Sequence, residues 1–170
     1  MHGGGRQRVD GAWTYADSPI EALRGRVRFE WSAADAWFEE DEEVFVHPRS
    51  PLTRIQILPS SRHVVVTVDG IIVAESDRPT FLHETRLRRR TYLPKLDVRM
   101  DMMVPTETTS MCPYKGAAVW WSLVTPTAEH TDLVWSYPTT HRESAPIAGL
   151  MAFYDERVEL TVDGVRARGT

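Results

Sequence analysis

Cysteine is nearly missing from this sequence: Cys112 is the only one in 170 residues. That excludes an intrachain disulfide framework and any Cys-x-x-Cys metal knuckle, and it fits a reducing compartment. Long apolar runs are missing too. None approaches the ~20 residues that a membrane-spanning helix needs. The start, MHGGGRQRVDGA, lacks the apolar stretch of a secretory signal. The expectation is a cytoplasmic protein with no membrane partner. The six histidines are not paired at metal-ligand spacing, so no metal is expected. Gly-x-Gly-x-x-Gly, phosphate-loop and Gly-x-Ser-x-Gly signatures are absent, and no cofactor is expected. An excess of one charge is also lacking. The net charge is −4, and the longest basic run is Arg88-Arg89-Arg90. Neither favours nucleic acid.

What is present reads as β-structure. Hydrophobic residues make up 42% and charged residues 26%, the balance of a globular chain long enough to bury a sizeable core. Residues 26–31, RVRFEW, alternate polar and apolar, the period of a half-buried strand. Residues 63–76 are two β-branched runs joined by Asp69-Gly70, a type I′ hairpin signal. Further strands are expected near 80–85, 90–94, 117–124, 132–138 and 147–154, with a second Val-Asp-Gly hairpin over 157–167. Many short strands between turn signals predict an antiparallel sandwich or barrel. Helix is confined to two weak candidates, 33–44 and 94–103.

One internal echo bears on organisation. Both WTYADSPIEAL (13–23) and WSYPTTHRESAPIAGL (135–150) give Trp-x-Tyr, then Pro-Ile, then Leu. Residues 1–12 read as a disordered tail, 13–45 as an extension like the tail of a preceding repeat, and 46–167 as a single all-β domain. Such a tail would pack on its own chain or make a homodimer.

Chemistry-bearing residues cluster in the second half. Pro113 biases Cys112 to extended backbone, and Gly116 suits the turn that feeds the next strand. Lys115 could hold a Cys112 thiolate, or Cys112 could be a small apolar plug. On strands, Trp120 and Trp121 face opposite sides, whereas Trp135 and Tyr137 share a face. They are either aromatic core or pocket wall. Glu84 would be buried only with a partner, and Arg90 is the nearby candidate. Asp97 and Asp101 would share one face of a helix, a solvated face or a weak Mg²⁺ pair.

DVRMDMMVPTETTSMCPYKGAAVWWSL, WSYP, APIAGLMAFYDERVEL and SSRHVVVTVDGIIVAES together resemble the bacterial domain-of-unknown-function family 427, which also carries a nucleotidyltransferase-like label. The resemblance covers roughly residues 45–165. It implies an all-β fold with few short helical turns, a small antiparallel β-tent or barrel-like domain, here without the zinc knuckle of related shapes. Tandem members join two such domains; this chain has one and the tail of another. The positions matching the family's recurring residues are Glu84, Arg90, Tyr92, Cys112, Tyr114, Lys115, Trp121, Trp135 and Tyr137. Nucleotidyl transfer needs paired acids for two metals beside a glycine-serine turn, which Asp97 and Asp101 do not supply.

The functional expectation is therefore a β-domain binding an unknown small molecule in an aromatic-walled pocket, with catalysis left open. Trp121, Trp135 and Tyr137 would form the walls, and Glu84, Arg90, Tyr92 and Tyr114 would contact the ligand. Cys112 and Lys115 are the candidate catalytic residues. A structural or homodimeric interaction module and a Cys112-dependent enzyme are the alternatives.

Overall fold

The computed structural model describes residues 10–39, 42–43, 45–47 and 52–167; most of the tail expected over 1–12 lies outside them. The chain divides into two compact units, Met1–Pro48 and Arg49–Thr170. In the first, strands β1 (Ala12–Thr14) and β2 (Val27–Phe29) pair antiparallel. A second short pair, β3 (Phe38–Glu39) and β4 (Glu42–Glu43), follows. Among the described residues of 33–44, the α-helix expected there does not form. Trp37 instead stacks on Trp31 at 5.1 Å and meets Phe29 edge-on. Its Nε1–H donates to the Trp31 carbonyl at 2.6 Å. These contacts outweigh the modest helix propensity of an acidic run.

The second unit is all-β and antiparallel. One sheet has the order β10-β11-β12-β13-β9-β8-β5. These strands are Met103–Cys112, Gly116–Val124, Glu129–Ser136, Met151–Phe153, Arg90–Leu93, Thr80–Glu84 and Ile55–Pro59 respectively. The other has the order β15-β14-β6-β7, being Val165–Arg166, Glu159–Val162, Val64–Val68 and Ile71–Ser76. Neither sheet closes on itself, so the barrel alternative gives way to two open sheets. Both Asp-Gly hairpins form. Asp69 and Gly70 have φ of 51° and 77°, and Asp163 and Gly164 have 52° and 76°, as a type I′ turn requires. Residues 94–103 make only two 3₁₀ turns, Lys95–Asp97 and Met100–Met102.

Strand parity divides the large sheet into two apolar faces. Phe81, Leu93, Leu123, Val134, Met151 and Phe153 pack with Val64, Val66, Val73, Leu160 and Val162 of the small sheet. Their neighbours Leu82, Tyr92, Trp135 and Ala152 form a second cluster on the opposite face with Ala118, Tyr137 and Ile147. The first face is closed by the small sheet. Asp69, at the tip of the β6–β7 hairpin, accepts bonds from Thr125 (2.7 Å) and Thr127 (3.2 Å) and sits 2.8 Å from His130 Nε2, tying the sheets at one end. The second face is covered in part by the 3₁₀ segment Arg142–Ile147.

The connection between β12 and β13 recurs in the first unit. Val134, Trp135 and Ser136 pair with Phe153, Ala152 and Met151; Ala12, Trp13 and Thr14 pair with Phe29, Arg28 and Val27. Gly149 (φ 72°) donates its N–H to the Tyr137 carbonyl at 2.8 Å, and Gly25 (φ 71°) to the Tyr15 carbonyl at 3.4 Å. A 3₁₀ turn precedes each glycine. Arg28 occupies the place of Ala152 and lays its guanidinium 4.9 Å from the Trp13 ring.

Candidate functional site

The site grows from one cross-strand row. Trp120 of β11 stands opposite Trp135 of β12, Trp135 opposite Ala152 of β13, and Ala152 opposite Tyr92 of β9. Ala152 is small, so Trp135 reaches over it and its Nε1–H donates to the Tyr92 hydroxyl at 3.3 Å. Trp120, Trp135 and Tyr154 lie 5.0–5.6 Å apart between ring centroids. Such pairs contribute ~0.5–1.5 kcal/mol each beyond area burial, so the aromatic cluster is a firm wall.

The wall bounds a cleft of about 420 Å³, completed by Leu82, Glu84, Arg86, Leu87, Arg88, Arg90, Lys115 and Tyr137. The volume lies in the range of small-molecule sites. Four of these residues are cationic. Arg90 makes a bidentate pair with Glu156, at 2.7 and 3.0 Å, and its guanidinium lies 5.6 Å from the Trp135 ring. Arg88 shares Glu156 at 3.5 Å. The hydrogen bond from Arg90 holds the Glu156 carboxyl below its usual range. Arg86, in the turn between β8 and β9, has φ 67° and makes no ion pair with any described residue. A non-glycine residue held in this left-handed region costs of order 1 kcal/mol.

At the floor, Lys115 Nζ donates to Glu84 Oε2. Their side chains are 11% and 7% exposed, so the pair is almost wholly withdrawn from water. Breaking such a pair from one side costs ~3–5 kcal/mol. Burial pushes the phenols of Tyr92 and Tyr137 up, well beyond the usual tyrosine range. Both therefore stay protonated at neutral pH. The Tyr137 hydroxyl has no hydrogen-bond partner among the described residues.

The structure brings together six of the nine residues singled out from the sequence: Glu84, Arg90, Tyr92, Lys115, Trp135 and Tyr137. Three lie elsewhere. Trp121 faces the core between the sheets, with Lys95 Nζ 5.2 Å from its ring. The wall is made by its neighbour Trp120. Tyr114 is buried in the turn and its carbonyl accepts a bond from Ser144 Oγ at 2.9 Å. Cys112 is half-buried against the second cluster and pairs with Gly116 across the end of the β10–β11 hairpin. The stretch from Cys112 to Gly116 is thus a tight turn. Gly116 has φ 103°, and a Cβ there would meet the Thr139 carbonyl at 3.0 Å, so glycine is needed twice over.

Two pairings differ from those expected. Glu84 takes Lys115, and Arg90 takes Glu156. Glu84 and Arg90 leave β8 and β9 at the same end, but the β10–β11 turn brings Lys115 to Glu84 first. The ammonium expected to face Cys112 is thereby engaged. Asp97 binds Arg78 and Ser76, and Asp101 binds Arg99. No group of three or more His, Cys, Asp or Glu residues could hold a metal among the described residues. Sequence reasoning missed Arg86 and Tyr154, chose Trp121 over Trp120 for the wall, and set Arg88 aside in a basic run. The run Arg86 to Arg90 was visible, but nothing local showed that its turn overhangs an aromatic face.

These features define an all-β domain with an open, aromatic-walled, cationic cleft. A family model described as a domain of unknown function, DUF427, matches residues 56–164, and the chain belongs to that family. No curated protein gives a significant match. No helix among the described residues is long and apolar enough to cross a membrane.

Proposed function

We propose that the protein binds a small organic anion with a flat apolar body in the cleft beneath the β8–β9 turn. The observation that carries this reading is the juxtaposition of the Trp120–Trp135–Tyr154 wall with Arg86, Arg88 and Arg90. The wall takes a flat ring. Arg86, free of ion pairs among the described residues, takes the negative group. Charge-assisted hydrogen bonds of this kind contribute ~1.5–3 kcal/mol. Glu156 compensates Arg88 and Arg90 in part, which leaves the rim cationic. Residues 13–45, with the recurring Trp-x-Tyr connection, resemble in this reading part of such a domain.

The test is thermal stabilisation by a set of organic acids. Aryl carboxylates should raise the melting temperature, and acetate or benzyl alcohol at equal concentration should not. Equal stabilisation of the wild type and Arg86→Ala by aryl carboxylates would contradict the reading.

A further inference from the structure

Resting on the binding reading above, we propose that the Lys115–Glu84 pair is an acid–base couple that interconverts the keto and enol forms of an aromatic 2-oxo acid. The pair is unusual in its setting. A buried ion pair adds little net stability over apolar residues of the same volume. This one lines a cleft that also carries Trp120, Trp135 and Tyr154 on its wall and three arginines at its rim. The ammonium and carboxylate are in direct contact, so they can face two adjacent positions of one small group. One is an oxygen and the other a carbon bearing a proton. A 2-oxo acid has that unit next to its carboxylate. Its carboxylate suits Arg86 at the rim, and its aromatic ring suits Trp120 and Trp135.

The step balances without a co-reactant. Glu84 carboxylate removes a proton from the C3 methylene. The C–H pair becomes the C2–C3 double bond, and the carbonyl π pair moves to oxygen, which takes a proton from the Lys115 ammonium. The products are the enol, a protonated Glu84 and a neutral Lys115 amine. A proton then passes from Glu84 to Lys115 through their existing hydrogen bond and restores the pair. General acid–base catalysis of this kind supplies about 10²–10⁴-fold. The Tyr137 hydroxyl, unpartnered among the described residues, can donate to the developing oxyanion as well.

The experiment follows deuterium uptake from D₂O at the C3 methylene of phenylpyruvate by proton NMR, using the full chain. Binding of phenylpyruvate is measured separately by quenching of tryptophan fluorescence. The wild type should speed exchange at least tenfold over buffer. Glu84→Gln should lose that gain and still bind. Because a single change leaves one buried charge unpaired, the double variant Glu84→Gln with Lys115→Met is measured beside it, with folding checked by circular dichroism. Retention of exchange in the folded double variant would overturn the proposal. So would saturable phenylpyruvate binding by a wild type that gives no exchange over buffer. That second result would leave the binding reading intact, whereas no binding at all would remove both.

Discussion

The Asp155 carboxyl sits where its neutral form is favoured. Burial raises its pKa to about 6, and its Oδ1 is buried with no hydrogen-bond partner among the described residues. The unfolded value is near 3.9. The native state therefore binds the extra proton between about pH 4 and pH 6, and stability from this group falls as pH rises through that window. Above pH 6 the full cost of the buried carboxylate remains, up to about 3 kcal/mol for a shift of this size. Asp155→Asn should accordingly stabilise the protein by about 1–3 kcal/mol at pH 7.5 and leave it unchanged near pH 4, measured by urea unfolding at both pH values. A variant that is less stable than wild type at pH 7.5 would mean that the charged form has an unrecognised role. None of this was legible in the stretch AFYDERV, because the cost comes from burial in the fold and not from the neighbouring residue types.

At the scale of elements, strand parity decides which tryptophan meets a ligand. The sequence showed that Trp120 and Trp121 point opposite ways. It did not show which face the small sheet would cover, since both faces of β11 carry apolar residues. The answer lies in long-range pairing: Val64 and Val66 of β6 close the Trp121 side. Trp121→Ala should therefore cost roughly 2–3 kcal/mol of stability through lost packing and leave anion binding within about twofold. Trp120→Ala should weaken binding by about tenfold or more at a smaller cost in stability. Unfolding curves and ligand titrations on the two variants check this; reversed effects would mean that the cleft is not the binding face. The Asp-Gly hairpins and the central strands were legible because their turns and alternation are local. The two edge strands of the large sheet, β5 and β10, were not. β10 is exposed along most of both faces and includes Pro105, so it has no alternation to read, and an edge position tolerates proline. β5 has only Ile55 and Ile57 facing inward, too short a pattern to distinguish.

At the scale of the molecule, two open sheets leave one large-sheet face only partly covered, and the functional proposal depends on that uncovered part. The aromatic residues come from β9, β11, β12 and the residue after β13, and the cations come from the β8–β9 turn, the start of β9 and the β10–β11 turn. The lining residues run from 82 to 154, so no short motif could announce the site. What the sequence did carry was the residue types: six of the nine candidates meet at the cleft, and the Lys115–Glu84 contact joins two of them across 31 positions. The direct test is a fluorescence titration of the full chain with phenylacetate and with its neutral amide. The two share a ring and differ by one charge. The account predicts saturable quenching by phenylacetate and affinity at least about tenfold weaker for the amide, the ratio expected of a charge-assisted bond worth ~1.5 kcal/mol or more. Equal affinity for the two, or no saturable quenching by either, would contradict it.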